Sequence, residues 1–578
     1  MHYKVKEILA KYINEFLYEV DSSLDSFNPQ DVPLGYPKDK QYGHFSTTIS
    51  FILAKRLRKS PNNIANDIAK FINQRYIHIS DCYSISSLSN SIDHNNHLVF
   101  EEVVALNGYL NIKLSLIFFE HEINLKLSSP HDFAKGEEKN HKILLEYVSA
   151  NPTGPLHIGH ARGAVFGSAL QRVGKHLGYD IIGEYYVNDA GSQIDMLALS
   201  VFNAVASILD LDLVEGEIYR GEYIDDIARA AILHFGEGYF TKDFQSIIID
   251  IGLYAKDLML NRIKSNLSAA DIVFDSFVSE KSLYCKWQDT LDTLKSNGAL
   301  DIRDGAIWLK SSLKNDEKDR VLVRDSGEPT YMAGDIIYHR DKFDRGFDSY
   351  INIWGADHHG YIARIKASID FLGYDSDKLD ILLAQMVNLL KAGKPYKMSK
   401  RAGNFILMED IINDIGSDSL KFIFLSKALG THLEFDVDVI NKQDSSNPLF
   451  YINYANARIH TLLKKSDLSK DEILSSSIVD IYKLAKLDNI EELRDELVNL
   501  MVSALSFSYI LRQSYEEKEL HKICEYLKNL AKQLHVFYNS YKILQTPLEA
   551  QILKVFMLVS LSLSTGFSLL GIEIKTQM

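Results

Sequence analysis

The chain has little cysteine and little tryptophan, and it has fewer basic than acidic residues. Three cysteines occur in 578 residues, and Cys82, Cys285 and Cys524 lie far apart in the sequence. This spacing excludes a disulfide framework and a zinc cluster built from thiolates. Because disulfides persist mainly outside the reducing cytosol, we predict a cytoplasmic protein that holds no resident metal ion and no permanently bound cofactor.

The charge balance limits how the protein can meet a nucleic acid. There are 63 Lys and Arg against 77 Asp and Glu, which gives a net charge of −14. A histone-like binder that uses its overall field is therefore excluded, and an RNA partner would have to meet local basic patches. Hydrophobic residues make up 46% and charged residues 24%, which predicts two to four folded domains.

Long uninterrupted hydrophobic runs are scarce. The N-terminus lacks the apolar core and the cleavage site of a signal peptide. The segment Val555–Ile572 has no charged residue, but five hydroxyl side chains and two glycines interrupt it. We predict a buried helix of a helical bundle there, with a membrane tail anchor as the alternative, and we expect no membrane partner.

The segment Lys142–Gly178 has the pattern of a nucleotide-binding βα unit. The apolar run Ile143–Val148 predicts a buried parallel strand. A turn rich in Pro and Gly follows, and helical periodicity begins near His157 and ends at Gly178. The free backbone N–H groups at such a helix start can bind an anion.

Two histidines, His157 and His160, stand three residues apart at this predicted helix start, with Gly159 between them. At this spacing both imidazoles can face one side of the first turn and donate to phosphate oxygens. The glycine allows a large ring such as adenine to approach the backbone. The alternative is a pair of structural histidines that cap the helix or fill its core.

A second basic feature lies far downstream, in residues 391–405. It contains five basic and no acidic residues between glycines and a proline: Lys391, Lys394, Lys397, Lys400 and Arg401. A charge run of this kind is usually a solvated surface. Because glycines flank it, we predict instead a mobile loop that closes on a polyphosphate.

The sequence HIGH at 157–160 and the sequence KMSKR at 397–401 together resemble the paired signature of class I aminoacyl-tRNA synthetases. The string VNDAGSQ at 187–193 resembles arginyl-tRNA synthetases in particular. The similarity spans essentially the whole chain. It implies ATP-dependent activation of L-arginine to arginyl-adenylate, followed by transfer to tRNA(Arg), by a bacterial-type enzyme that we expect to be a monomer.

The resemblance also implies a multidomain α/β fold with three parts. Residues 1–125 resemble the appended tRNA-binding domain of the family, on a patch formed by Gly43, Phe45 and Thr47, although the family often has an acid where this chain has His44. Residues 126–430 are expected to form a Rossmann-like catalytic domain with a helical insertion at about 200–300, and residues 431–578 an all-α anticodon-binding bundle.

Within the catalytic part, three further segments have the composition of sheet strands: Ile181–Val187, Arg320–Arg324 and Tyr350–Trp354. The last is followed by GADHHG at 355–360. Ligands of open α/β sheets bind outside the carboxyl ends of strands, so we expect these polar residues to contact one. A metal site is the alternative reading of this His/Asp cluster.

The resemblance assigns the ATP site residue by residue. It implies that four residues stabilise the reacting phosphates: His157, His160, Lys397 and Lys400. It implies further ATP contacts, with Mg²⁺ accompanying the nucleotide, from Pro155, Leu156, Gly159, Gly355, Asp357, His358, Met398 and Ser399.

A guanidinium is distinguished from an ammonium by planar, bidentate pairing with carboxylates. Glu146 stands in an apolar strand, where a carboxylate is costly unless paired, and Asp335 follows Tyr331 at helical spacing. The resemblance implies that these three residues hold the arginine side chain, that Asn151 holds its backbone, and that Gln193 contributes. The alternative for Glu146 is a strand residue that points outward.

The segment 447–460 resembles the entry to the anticodon-binding bundle. Its aromatic residues Phe450, Tyr451 and Tyr454 are predicted to stack on tRNA bases, with Arg458 near a phosphate. Aromatic residues at helical spacing are also typical of a helix core, which is the alternative.

Three other functions remain as alternatives. A cysteinyl enzyme would need zinc ligands that this sequence does not have. A small-molecule nucleotidyltransferase can carry an H-x-G-H turn, but it has no use for a C-terminal helical region and a second lysine-rich loop. An inactive RNA-binding paralogue would not need both signatures intact.

Overall fold

The computed structural model describes residues 1–76, 99–396, 406–481 and 491–578. The predicted loop Ser84–Asn96 and the motif Lys397–Arg401 lie outside these ranges.

The N-terminal part is a small α+β unit. Its antiparallel sheet has the order β1-β3-β2 and packs against helices. The elements are α1 (His2–Val20), β1 (Phe45–Thr47), α2 (Ile49–Leu57), α3 (Pro61–Tyr76), β2 (Phe100–Leu106), β3 (Tyr109–Leu114) and α4 (Leu116–Ser128).

His44 is a structural residue of this unit. Its Nδ1 accepts a hydrogen bond from the backbone N–H of Leu114 at 2.9 Å, and its ring packs edge-on against Phe119. Burial lowers the pKa of His44 to about 4, so the ring is neutral at pH 7. A neutral, hydrogen-bonded imidazole here joins the edge of the sheet to the helix that follows.

The segment around the two histidines folds as the sequence predicts. Strand β4 (Lys142–Glu146) is followed by a turn, by helix α5 (Ile158–His176) and by β5 (Asp180–Val187). Gly178 adopts φ +89°, and a Cβ there would lie 1.9 Å from the carbonyl oxygen of Glu137. This position therefore requires glycine, both for its left-handed backbone and for the close approach of a neighbouring chain segment.

A helical insertion follows β5 and has its own apolar core between Leu197 and Met259. It contains α6 (Ser192–Leu209), α7 (Glu222–Phe235) and α8 (Phe244–Ala269). The chain then returns to the sheet as β6 (Ser276–Ser279), which pairs in parallel with β5. The range predicted as helical insertion thus contains a strand of the main sheet.

The strand at Arg320–Val323 does not join the main sheet, which corrects the prediction from sequence. It lies in a separate antiparallel sheet of order β7-β8-β9. The elements of this region are α9 (Glu280–Leu283), α10 (Trp287–Ser296), β7 (Leu300–Arg303), β8 (Ala306–Leu309) and β9 (Arg320–Val323). The apolar alternation indicated a strand, but it could not identify the partner strand.

The second half of the main sheet follows. It is formed by α11 (Tyr331–Asp344), β10 (Ser349–Gly355), α12 (Ile362–Phe371) and β11 (Leu379–Ala384). The strand order is β11-β10-β4-β5-β6, and all neighbours are parallel. β4 and β10 are therefore central, and their carboxyl ends lie side by side at one edge of the sheet.

A small sheet of order β13-β12-β14 lies beyond the main one. Its strands and the adjacent helices are β12 (Val387–Lys391), β13 (Lys394–Pro395), α13 (Met408–Ile415), α14 (Ser417–Leu425), β14 (Leu433–Asp436) and α15 (Val437–Ile440). Residues 397–405 connect β13 to α13.

The remainder of the described chain is a helical bundle, as predicted. Its helices are α16 (Pro448–Lys465), α17 (Lys470–Ser475), α18 (Glu491–Leu505), α19 (Phe507–Glu516), α20 (His521–Ser540) and α21 (Glu549–Leu569). The N-terminal unit packs against this bundle: the Tyr36 hydroxyl donates to Ser506 Oγ at 2.6 Å, and His2 stacks on Tyr509.

Two described helices, Ser192–Leu209 and Glu549–Leu569, are long and apolar enough to cross a membrane. Half of the apolar window of the first and 67% of that of the second are buried inside the protein. Core helices of soluble proteins meet the same length and composition criteria.

Candidate active site

The histidine turn lies at the carboxyl end of β4. His157 is the N-cap of α5, and its Nδ1 accepts a hydrogen bond from the backbone N–H of Gly159 at 3.1 Å. The rings of His157 and His160 stack with centroids 3.7 Å apart. Burial lowers the pKa of both, that of His160 to about 3, with the neighbouring His157 as a second cause. Both rings are therefore neutral at pH 7 and can act as N–H donors to phosphate oxygens.

The histidine turn pairs with residues 406–408, which follow the lysine-rich segment 391–405 in the sequence. The backbone N–H of Ile158 donates to the carbonyl oxygen of Ile406, and that of Met408 to Leu156, both at 2.9 Å. Leu156 is fully buried and Pro155 is half-buried. Backbone pairing thus joins Ile406 and Met408 to the histidine turn. Lys397, Met398, Ser399 and Lys400 themselves lie outside the described residues.

Gly355 is the last residue of β10, and Asp357 and His358 follow it, beside strand β4, which leads into the histidine turn. The side chains of Asp357 and His358 are 82% and 57% exposed, and their polar atoms are 3.7 Å apart. A Cβ at Gly355 would lie 2.4 Å from Asp357 Oδ1, so this aspartate orientation requires glycine. No group of three or more described His, Cys, Asp or Glu residues is arranged to hold a metal ion.

Glu146 at the end of β4 is buried, with 4% exposure, so the outward-pointing alternative is wrong. One carboxylate oxygen forms a salt bridge with the Lys342 ammonium, and the other accepts a hydrogen bond from Ser149 Oγ at 3.0 Å. The strand carboxylate is therefore paired, as its burial requires. Lys342 was not recognised from the sequence, because its partner lies almost 200 residues away in the chain.

Asp335 lies on α11, close enough to Glu146 for the two charges to interact. Its Oδ2 accepts a hydrogen bond from the Tyr361 hydroxyl at 2.5 Å. Burial raises the pKa of Asp335 to about 6, and the nearby Glu146 adds to this. Tyr331, four residues earlier, is 57% exposed at the first position of the helix.

Glu280 is a buried carboxyl group that, like Asp335, is held by a tyrosine hydroxyl. It was not recognised from the sequence. Glu280 begins α9 directly after β6, is 5% exposed, and accepts a hydrogen bond from the Tyr284 hydroxyl at 3.3 Å. Burial raises its pKa to about 7, with Asp335 as the next cause. A Cβ at Gly334 would lie 2.2 Å from Glu280 Oε1, so the glycine beside Asp335 leaves room for this carboxyl group.

Polar atoms without a partner follow the carboxyl end of β5. Among the described residues, Asn188 Oδ1 and Gln193 Oε1 are buried and have no hydrogen-bond partner. Tyr186 stacks on Tyr338 at 4.0 Å and lies near Glu280, Asp335 and Glu146. Asn151 is exposed in the turn after β4. Because buried polar groups are normally satisfied, this arrangement indicates a site for a polar ligand.

Comparison with known families identifies the architecture. Residues 4–84 match the arginyl tRNA synthetase N terminal domain, residues 122–427 match the class I (R) tRNA synthetase catalytic domain, and residues 452–578 match the DALR anticodon binding domain. An arginine–tRNA ligase from Wolinella succinogenes is 52% identical over 95% of this chain and 97% of its own length. The chain belongs to the arginyl-tRNA synthetase family.

Other members of the arginyl-tRNA synthetase family agree. An arginine–tRNA ligase from Nitratiruptor sp. is 49% identical over 97% of this chain and 99% of its own length. A solved structure titled putative arginyl tRNA synthetase, from Campylobacter jejuni, has a TM-score of 0.75 and 50% identity, covering 80% of this chain and all of that one. The fold also matches that of the Thermus thermophilus enzyme, with a TM-score of 0.71 at 19% identity, over 99% of this chain and all of that one.

The predicted fold class, family and ligase activity are thereby confirmed. The activity implies ATP, arginine and tRNA as partners. The roles of individual residues and the domain boundaries remain predictions.

In the bundle, which matches the anticodon-binding family, the four predicted tRNA contacts have different environments. Phe450 stacks on Tyr454, and Tyr454 stacks on His535. The Arg458 guanidinium lies over the Tyr454 ring at 4.4 Å. Tyr451 is half-buried against His535, whereas Tyr454 is 38% exposed. The outer face of this stack, formed by Tyr454 and Arg458, is the part open to a base.

Proposed function

We propose that the acidic pocket of Glu280, Asp335 and Glu146 selects the arginine substrate of this arginine–tRNA ligase. The observation that supports this most directly is the pairing pattern. Glu146 has Lys342 as its cation, whereas Asp335 and Glu280 are held by tyrosine hydroxyls, and burial raises the pKa of both. Two such carboxyl groups close together favour a substrate whose side chain brings a positive charge into the pocket.

A guanidinium suits this pocket better than an ammonium does. It is planar, keeps its charge at all physiological pH values, and presents five N–H donors to two carboxylates at once. Binding of arginine would favour the ionised forms of Asp335 and Glu280, because a nearby cation lowers a carboxyl pKa. In this proposal Tyr331 helps to hold the arginine side chain, the polar groups of Tyr186, Asn188 and Gln193 bind other parts of the substrate, and Asn151 holds its backbone.

ATP would bind along the carboxyl ends of β4 and β10. His157 and His160 would supply neutral donors to the α-phosphate region, and Gly159 and Pro155 would form the surface under the nucleotide base, with the buried Leu156 beneath them. On the β10 side, Gly355 and the exposed polar side chains of Asp357 and His358 would contact the ribose. The family motif assigns Lys397 and Lys400, with Met398 and Ser399 between them, to the β- and γ-phosphates, with Mg²⁺ bound to the nucleotide.

Two steps follow from this arrangement. A carboxylate oxygen of arginine attacks the α-phosphorus of ATP, the bond to the bridging oxygen breaks, and pyrophosphate leaves. A ribose hydroxyl at the tRNA 3′ end then attacks the arginyl carbonyl, and AMP leaves. Neither step requires a nucleophile from the protein, so the residues act by positioning the reactants and by stabilising the phosphate charge.

The same proposal places tRNA(Arg) on the bundle and on the N-terminal unit. Tyr454 and Arg458 offer an aromatic face and a cation to an unstacked base, while Phe450 and Tyr451 support them from behind. We further propose that the protein works in the cytoplasm as a monomer. One polypeptide contains all three matched domains.

The test is ATP–pyrophosphate exchange with each of the twenty amino acids, with and without bulk bacterial tRNA. Exchange with arginine alone supports the proposed pocket, and dependence on tRNA would show that tRNA binding completes the site. Exchange with arginine in the absence of tRNA would show a preassembled site. If no amino acid supports exchange under either condition, the enzyme assignment fails and an RNA-binding role takes its place.

A further inference from the structure

A buried polar network lies beneath the arginine pocket. Asn352 is in the middle of β10, in the apolar run YINIW, and is fully buried, as are His339 and Lys342 of α11, with 2% and 1% exposure. Polar groups inside a sheet and helix interface are costly unless every one is hydrogen-bonded.

Asn352 satisfies both of these helix residues. Its Oδ1 accepts a hydrogen bond from the Lys342 ammonium at 2.9 Å, and its Nδ2 donates to His339 Nε2 at 3.0 Å. His339 Nδ1 donates in turn to the carbonyl oxygen of Asp335 at 2.8 Å. Burial lowers the pKa of His339 to about 3, so the ring is neutral and this tautomer satisfies both of its nitrogens.

The other end of the network reaches Glu146, the second carboxylate that is proposed to hold the arginine substrate. Lys342 forms its salt bridge with Glu146, and Glu146 is the register partner of Asn352 on the adjacent parallel strand. On α11, the residues Asp335, His339 and Lys342 stand at positions i, i+4 and i+7, so they share one face of the helix. The hydrogen bonds therefore run without a break from the Glu146 carboxylate to the main chain of Asp335.

We propose that Asn352 is a positioning residue for arginine, which acts through Lys342 and His339 to fix the Glu146 carboxylate relative to Asp335. This inference rests on the proposed function of the acidic pocket. Asn352 does not touch the substrate. It fixes the position of α11 against the sheet. The carboxylates of Glu146 on β4 and Asp335 on α11 therefore keep the separation that the substrate requires.

The charge of Lys342 has a second consequence for the pocket. Without a cation beside it, the Glu146 carboxylate would be an uncompensated buried charge next to Asp335 and Glu280. Asn352 accepts one hydrogen bond from the Lys342 ammonium, which therefore stays in contact with the Glu146 carboxylate. The side-chain amide thereby fixes both the geometry and the charge compensation.

The test measures arginine and ATP binding by calorimetry on the full-length protein, together with thermal unfolding. In Asn352→Leu both hydrogen bonds are lost without any change of charge, and we expect arginine to bind about tenfold more weakly while the Kd for ATP changes less than about twofold. The matched control is Asn456→Leu in the helical bundle. Asn456 is 1% exposed and donates to the carbonyl oxygen of Lys575, so its loss is of the same kind but remote from the pocket.

A purely structural role predicts a different result. Both asparagine variants would then unfold at lower temperature and both would bind arginine as the unmodified protein does, which would overturn the proposal. If Asn352→Leu does not fold, Asn352→Asp provides the test, because it nearly keeps the shape and the acceptor for Lys342 but cannot donate to His339 when ionised. Weaker arginine binding by Asn352→Asp supports the proposal, and unchanged binding overturns it. If the unmodified protein binds arginine neither alone nor in the presence of tRNA, the proposed function has failed instead.

Discussion

The guanidinium of Arg162 donates a hydrogen bond of 2.7 Å to the carbonyl oxygen of Thr431. Arg162 lies on α5, directly after the histidine turn, and is fully buried. It also donates to the carbonyl oxygens of Gln385 and Ala428, at 3.0 and 2.8 Å. Burial lowers its pKa to about 10, so it stays charged at pH 7. One side chain thus joins the histidine helix to the loops that precede β12 and β14, two parallel neighbours in the small sheet.

Replacing Arg162 by Met is expected to separate these two parts of the ATP site. We expect the exchange rate at saturating arginine to fall by about 100-fold, because small misplacements of reacting groups have effects of this size. Stability should fall by about 3 kcal/mol or more, since three carbonyl groups lose their buried donor. Exchange assays and thermal unfolding measure the two effects.

The matched control for this variant is Arg172→Met on the same helix, where the guanidinium contacts Asp271 near the surface. It should exchange at a nearly unchanged rate. If Arg162→Met is as active as this control at a temperature where both are folded, Arg162 does not position the site.

Glu280→Gln should weaken arginine selectively. The variant keeps the shape of the side chain but removes one of the two pocket carboxylates that, unlike Glu146, are held by tyrosine hydroxyls. We expect the KM for arginine to rise about 30-fold or more, as for loss of a buried charge partner, and the KM for ATP to stay unchanged. Glu328→Gln is the control, because Glu328 is 72% exposed on a turn. Equal arginine KM values for the two variants would remove Glu280 from the pocket.

Arginine affinity should depend on pH through the carboxyl groups of the pocket. Since the pKa values of Glu280 and Asp335 are raised to about 7 and about 6, both bind protons more readily than usual when arginine is absent. A cationic substrate requires them ionised, so kcat/KM for arginine should fall as the pH drops through 7 and then 6. The pKa of His160, at about 3, places its titration outside this range. A flat profile between pH 5.5 and 8.5 would contradict this assignment.

The same pKa shift predicts a change in stability of the arginine-free protein. Glu280 keeps its proton up to about pH 7 when folded, whereas its unperturbed pKa is 4.5. Its contribution to stability is therefore present below pH 4.5 and is lost as the pH rises to 7. Arginine should consequently raise the melting temperature more at pH 8 than at pH 6, and the Glu280→Gln variant should show a smaller difference.

Tyr454 should contribute to tRNA binding through its ring. Because stacking of a base on an aromatic side chain is worth about 1–3 kcal/mol, we expect Tyr454→Ala to raise the KM for tRNA about tenfold, and Tyr454→Phe to leave it nearly unchanged. Arginine binding measured without tRNA should be the same in both variants. A large effect of Tyr454→Phe would show that the hydroxyl, which accepts a hydrogen bond from Arg458 at 3.2 Å, is the important group.

The strongest predictions from the sequence rest on local patterns. The histidine turn was predictable because an apolar strand, a turn rich in Pro and Gly and a helix start follow one another within a few residues. Each of these signals depends only on residues close by in the sequence. The i, i+4 spacing of Tyr331 and Asp335 is likewise local. Glu146 was recognisable as unusual because a carboxylate in an apolar strand needs a partner, although the sequence did not name Lys342.

What only the tertiary structure decided is the set of partners. Glu280 enters the pocket because β6 pairs with β5 after a long helical insertion, and Asn352 meets His339 and Lys342 because α11 packs on the sheet. Arg320–Val323 was recognisable as a strand, yet it joined a different sheet. By itself the sequence determined the family, the signature turn and two of the three pocket carboxylates, Glu146 and Asp335. Pairing between distant segments depends on packing free energy summed over the whole fold, and no local pattern reports it.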